Sequence, residues 1–113
     1  MLEKIDHVVL LKDFYGPLLT EKQQNVLNLH YENDLSLSEI ASDMNTSRQA
    51  VYDMVKRAEN LLEQYEQKLG LVERFQITRS RLQELSVILE GAEVDRCKVS
   101  QATGILQELT ELL

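Results

Sequence analysis

The run from Ser36 to Ala58, SLSEIASDMNTSRQAVYDMVKRA, constrains the fold more than any other stretch of this chain. Ser36 followed by Glu39 has capping-box spacing, so a helix can begin at Leu37 with its free backbone N–H groups satisfied. Leu37, Ile40, Ala41 and Met44 then share one face. That helix must be short, because Asn45, Thr46 and Ser47 are residues that prefer caps and turns. Ser47 can cap a second helix, whose buried side is given by Val51, Met54, Val55 and Ala58 at helical spacing.

Two helices on a short connection, a small residue where they cross and apolar residues at fixed offsets make up the helix-turn-helix signature. Ala41 is the small residue, and Ile40, Met44, Val51 and Met54 set the angle between the helices. Arg48, Gln49, Tyr52, Asp53 and Lys56 remain on the outer side of the second helix, where a groove of nucleic acid would meet them. An ordinary helical hairpin within a bundle would show the same periodicity, and the pattern alone favours neither.

Three stretches carry a resemblance: LTEKQQNVL from Leu19 to Leu27, LSLSEIA from Leu35 to Ala41, and Ser47 to Ala58 with its SRQAVYD opening. They resemble the DNA-binding fourth region of bacterial sigma factors, and more closely the small YlxM family. The resemblance implies an all-α regulator rather than an enzyme: a sigma region 4-like helix-turn-helix bundle with a long C-terminal helical arm. It implies nucleic-acid contacts from Ser47, Arg48, Gln49, Tyr52, Lys56 and Arg57, with DNA as the partner. It also implies action near the signal recognition particle pathway, since the family's genes lie beside that of its GTPase. The alternative is a protein- or RNA-binding adaptor of the same system that does not read DNA. Asn45 stands where sigma-type turns usually have Gly, and Thr46 where they usually have an aliphatic residue. Asn tolerates the left-handed conformation better than other non-Gly residues, so the turn survives. Asp53 is the more serious departure, because a carboxylate on the outer face repels phosphates unless cytosine donates to it or Lys56 neutralises it.

With 113 residues there is room for one domain, or a small domain with an appended helical arm. A net charge of −7 argues against holding nucleic acid by bulk charge, so any contact must be local. Between Ser47 and Leu62 the basic residues are Arg48, Lys56 and Arg57, against the acidic Asp53 and Glu59, which is a thin footprint. No apolar run is long enough to span a bilayer and no basic-then-apolar leader opens the sequence, so a cytoplasmic protein without membrane insertion is expected. Cys97 is the one cysteine, and His7 and His30 have no ligand-like neighbours at helical spacing. No metal or other cofactor is therefore expected. No Gly-rich phosphate loop and no ordered nucleophile, base and orienter are present, so an enzyme is not expected either.

The remaining elements follow from punctuation. Met1 to Tyr15 carries the stripe Leu2, Ile5, Val8, Val9, Leu11 and Phe14, and Gly16-Pro17 breaks it. Thr20 with Gln23 has capping-box spacing for a helix that buries Val26, Leu27 and Leu29 or His30 before ending at Glu32-Asn33-Asp34. This helix should pack across the helix-turn-helix, with the first helix covering what remains. The stripe Val51, Val55, Ala58, Leu62, Tyr65 and Leu69 extends the recognition helix to Gly70, a natural residue after a helix end. Its far half needs a partner, and the C-terminal segment is the expected one. There, Leu71, Phe75, Thr78, Leu82, Leu85 and Leu89 form a seam that Gly91 ends. Beyond it, Val94, Cys97, Ile105, Leu106, Leu109, Leu112 and Leu113 suggest helix that Ser100 and Gly104 could divide. The expected organisation is a helix-turn-helix domain over 1–70 and a C-terminal helical packing and dimerisation segment over 71–113. Leu61, Leu62 and Leu69, with Leu82, Leu85, Leu89, Leu109 and Leu112, offer more apolar surface than a thin arm covers. A homodimer is the simplest solution, and a tightly folded-back hairpin the alternative.

Overall fold

Side-chain caps set several of the helix starts. This computed structural model describes residues 2–90 and 95–112, with side chains from Asp6 onward. Helix α1 (Leu2–Tyr15) runs into a 3-10 turn over Gly16–Leu18, with Pro17 near its start where the missing N–H costs nothing. Helix α2 (Glu21–Tyr31) starts on a complete capping box: Gln23 N–H donates to Thr20 Oγ1 at 3.2 Å, and Thr20 N–H to Gln23 Oε1 at 3.1 Å. Helix α3 (Leu37–Asp43) repeats the device with Ser36 and Glu39. Helix α4 (Arg48–Leu69) is capped by Ser47 and ends at Gly70, which is left-handed at φ 62°. Helices α5 (Leu71–Leu89) and α6 (Arg96–Leu112) complete the chain. The protein is all-α, with no strand among the described residues.

Residues up to Gly70 form one compact unit and those from Leu71 a second. The first unit is built around α4. Val26 and Leu27 from α2, Ile40 and Ala41 from α3, and Val8, Leu11 and Tyr15 from α1 are all buried with Val51, Val55, Ala58 and Leu62 of α4. The far half of α4, for which the sequence suggests the C-terminal segment as partner, has α1 against it. His7 Nε2 lies 2.8 Å from Glu63 Oε1, the Tyr15 hydroxyl donates to Glu66, and the Tyr15 and Tyr65 rings are 6.1 Å apart. The reason lies in phase: Val8, Leu11 and Tyr15 are spaced by three and four residues, so α1 can lie lengthwise on the stripe. Leu69, the last residue of that stripe, is half exposed. Lys12 is buried, yet its ammonium is not orphaned: it donates to Asn28 Oδ1 at 2.8 Å and pairs with Glu32, tying α1 to α2.

In the second unit α5 and α6 pack on each other. Ala102, Ile105 and Leu109 form the buried side of α6. On α5 the seam is rotated from the one its leucines suggest: Thr78, Arg81, Leu85 and Ile88 are the half-buried positions, while Leu82 and Leu89 are exposed. Val72 is the buried residue of α5, and Arg81 bridges the two helices: its guanidinium donates at 3.0 Å to Glu84 and lies 3.0 Å from Glu108 on α6. Neither Ser100 nor Gly104 divides α6, which is continuous. Val94 and Leu113 lie outside the described residues, as do the side chains of Leu2 and Ile5.

Candidate nucleic-acid interface

The turn between α3 and α4 is a Schellman cap. Asn45 takes the left-handed conformation at φ 53°, Thr46 N–H returns to Ala41 O at 3.0 Å, and Asn45 N–H to Ser42 O at 3.4 Å. The last carbonyls of α3 are thus satisfied without Gly in the turn. Ser47 then starts α4, its Oγ accepting from Ala50 N–H at 3.0 Å. Ile40 and Ala41 are buried, as are Val51, Val55 and Ala58, while Met44 and Met54 are half-buried. The angle between the two helices is therefore fixed by close packing on one side and by a fully bonded turn at the other.

On the outer side of α4, Arg48, Gln49, Tyr52, Asp53 and Arg57 are exposed and Lys56 is half-buried. They do not form one flat surface. At 100° per residue, Gln49 and Asp53 hold the centre, Tyr52 and Lys56 one shoulder, and Arg57 the opposite one. Gln49 Nε2 donates to Asp53 Oδ1 at 3.1 Å, so the carboxylate orients the amide. Lys56 lies 5.7 Å from the centroid of the Tyr52 ring, and its ammonium donates at 3.4 Å to Glu59. Ser47 Oγ accepts within the helix cap, leaving its hydroxyl proton and a second lone pair for a ligand.

Glu59 anchors the first shoulder from below. Nearly fully buried, it accepts from the Tyr31 hydroxyl as well as from Lys56. Tyr31 is held well above its ordinary value, first by burial, then by the hydrogen bond to Glu59 and by that carboxylate's charge. A cleft of about 500 Å³ opens above this pair, lined among others by Leu35, Leu37, Tyr52 and Lys56. The second shoulder holds a residue the sequence did not single out. Lys22 on α2 and Arg57 on α4 line one hollow of about 240 Å³ with Thr20, Gln23 and Met54. The signal was available, since the capping box at Thr20 fixes Lys22 in the first turn of a helix that packs on α4.

His7 faces Glu63, His30 Nδ1 lies 3.1 Å from the Leu35 carbonyl, and no group of three or more potential metal ligands occurs among the described residues. No helix among those residues is long and apolar enough to cross a membrane. The arrangement offers the Gln49 amide and the Asp53 carboxylate at the centre of α4 and cations on both flanks.

Comparison with known proteins agrees with this geometry. Residues 2–102 match the family described as "Putative helix-turn-helix protein, YlxM / p13 like". The UPF0122 protein of Desulforamulus reducens is 44% identical over 112 residues, covering 97% of this chain and 96% of that protein. Its counterpart in Shouchella clausii is 50% identical over 98 residues, covering 86% and 90%. That of Bacillus mycoides is 42% identical over 109 residues, covering 96% and 99%. With the whole helix-turn-helix inside the matched span and the relatives aligned nearly end to end, the chain belongs to the YlxM / p13-like family of helix-turn-helix proteins, UPF0122.

Proposed function

We propose that this chain is a DNA-binding regulatory protein that lays the first half of α4 in a major groove, in the manner of sigma factor region 4. The observation that carries the reading is the division of α4: Val51, Val55 and Ala58 are buried in the unit that holds α3, while Arg48, Gln49 and Tyr52 stand exposed. Arg48 has the donors to pair with guanine, and Gln49 the amide to pair with adenine once it exchanges Asp53 for a base. Ser47, Lys56 and Arg57 supply phosphate contacts that set the register. The reading places the protein in the cytoplasm, near the signal recognition particle pathway that the family resemblance implies.

Selection from a random duplex pool, followed by binding titrations at several salt concentrations, tests it. Arg48→Ala should weaken binding by about 1–3 kcal/mol and relax preference at one base. Asp53→Asn should strengthen binding, because it removes a negative charge that repels the polyanion while keeping an acceptor that orients Gln49. If neither substitution changes binding to any duplex, the regulator reading is wrong.

One observation favours a second reading, an adaptor of the signal recognition particle system that binds protein or RNA. The net charge is −7, and Leu82, Leu89, Val99 and Leu106 are each about half exposed in the second unit. Such apolar surface suits a protein partner or a second copy better than a phosphate backbone. Capture of the pathway's purified GTPase or RNA by protein that binds no duplex would select this reading.

A further inference from the structure

Among the cations of the first unit, Lys12 is paired with Glu32 and Lys56 with Glu59. Lys22 and Arg57 make no ion pair or side-chain hydrogen bond among the described residues, yet they line the same hollow. No carboxylate lines it, in a chain with 19 acidic residues. Glu21, next to Lys22, lines a neighbouring hollow along the outside of α2, which Lys22 also borders. Met54 and the capped start of α2 form the walls, and the Gln23 N–H is already satisfied by Thr20. The attraction for an anion is therefore that of two side-chain cations from different helices, brought together by the packing of α2 on α4.

We propose that Lys22 and Arg57 form a clamp for a backbone phosphate of duplex DNA. This deepens the DNA reading above and rests on it. A helix with its side chains is about 10–12 Å across, and the major groove is about 12 Å wide. A helix lying in the groove must then meet a phosphate wall on each flank. On α4 the Tyr52 and Lys56 shoulder meets one wall, and the Lys22 and Arg57 shoulder meets the other. The clamp fixes how deeply and at what tilt α4 sits, and it carries no base preference of its own.

The test is the salt dependence of binding, read by fluorescence anisotropy with a labelled duplex of about 20 base pairs between about 50 and about 200 mM KCl. Lys22→Gln and Arg57→Gln should each lower the magnitude of the slope of log K against log salt by about 0.9, and the double variant by about twice that. Base preference opposite Arg48 should be unchanged. Lys68→Gln, which removes a cation from the last turn of α4, should leave the slope as in the parent. Both clamp residues are exposed, so thermal melts of the variants should overlay the parent's. If the parent binds duplex and Arg48→Ala weakens it while the double variant keeps the full slope, the clamp is overturned and the DNA reading stands. If the parent binds no duplex at the lowest salt, or binds only hairpin RNA, the DNA reading falls and the clamp with it.

Discussion

Tyr31→Phe tests whether the recognition helix is held from behind by the bond between Tyr31 and Glu59. Glu59 sits nearly buried on α4 and accepts from the Tyr31 hydroxyl at the end of α2. Removing the hydroxyl leaves the carboxylate with Lys56 at 3.4 Å, which is a poor substitute. Hydrogen bonds to charged groups contribute about 1.5–3 kcal/mol, and leaving a buried acceptor short of partners carries that cost. Because Tyr31 is only half-buried and water can reach part of the site, the lower end applies, about 1.5 kcal/mol. For a domain of this size that lowers Tm by roughly 6–12 °C, read by circular dichroism at pH 7.

The same substitution has a signature in alkali. Tyrosine ordinarily titrates near 10, and Tyr31 is held well above that by burial and by Glu59. Below about pH 10 both folded and unfolded chains keep the proton, so the contribution is fully present. Above it the unfolded chain releases the proton while the folded one retains it, and stability falls by at most about 1.4 kcal/mol per pH unit until the folded group titrates too. Urea melts of the parent should lose stability between about pH 10 and 11.5 more steeply than those of Tyr31→Phe. A double-mutant cycle with Glu59→Gln should return a coupling of about 1 kcal/mol. Parallel pH profiles, or a variant that melts within about 1 °C of the parent, would refute the argument.

Three further outcomes follow from the same framework. Ile40→Asp should cost about 3 kcal/mol or more, because it places an unpaired charge at a site with no solvent exposure, and a variant that melts like the parent would mean that the α3 and α4 interface is not dry. Asn45→Ala should cost about 1 kcal/mol through the left-handed backbone at φ 53° while Asn45→Gly does not, and equal melts for the two would mean that the turn is not strained. Sedimentation at tens of micromolar should find a dimer formed through the exposed Leu82, Leu89 and Leu106, and a monomer there removes that assembly from the proposed function.

The elements that local chemistry decides were the legible ones. Both capping boxes, the Ser47 cap and the Gly70 stop each depend on residues within a few positions, so local sequence specified them, while the left-handed Asn45 followed from the resemblance to turns that carry Gly there. What spacing could not decide was which of two apolar stripes a helix turns inward. On α5 the leucines mark one seam, and the pairing of Arg81 with Glu108, 27 positions away, marks another. A rule that counts only apolar residues does not count an arginine whose head is paired across the interface. The same limitation hid Lys22. Its position in the first turn of α2 was readable, but its convergence with Arg57 depends on how α2 crosses α4, a tertiary fact. The footprint of α4 by itself is thin, with Arg48, Lys56 and Arg57 against Asp53 and Glu59. Once α2 is laid beside it, the first unit presents cations on both flanks of the helix without any change in the chain's acidic balance. A strongly acidic protein can therefore meet a polyanion, provided that its fold brings cations such as Lys22 and Arg57 to the flanks of one helix.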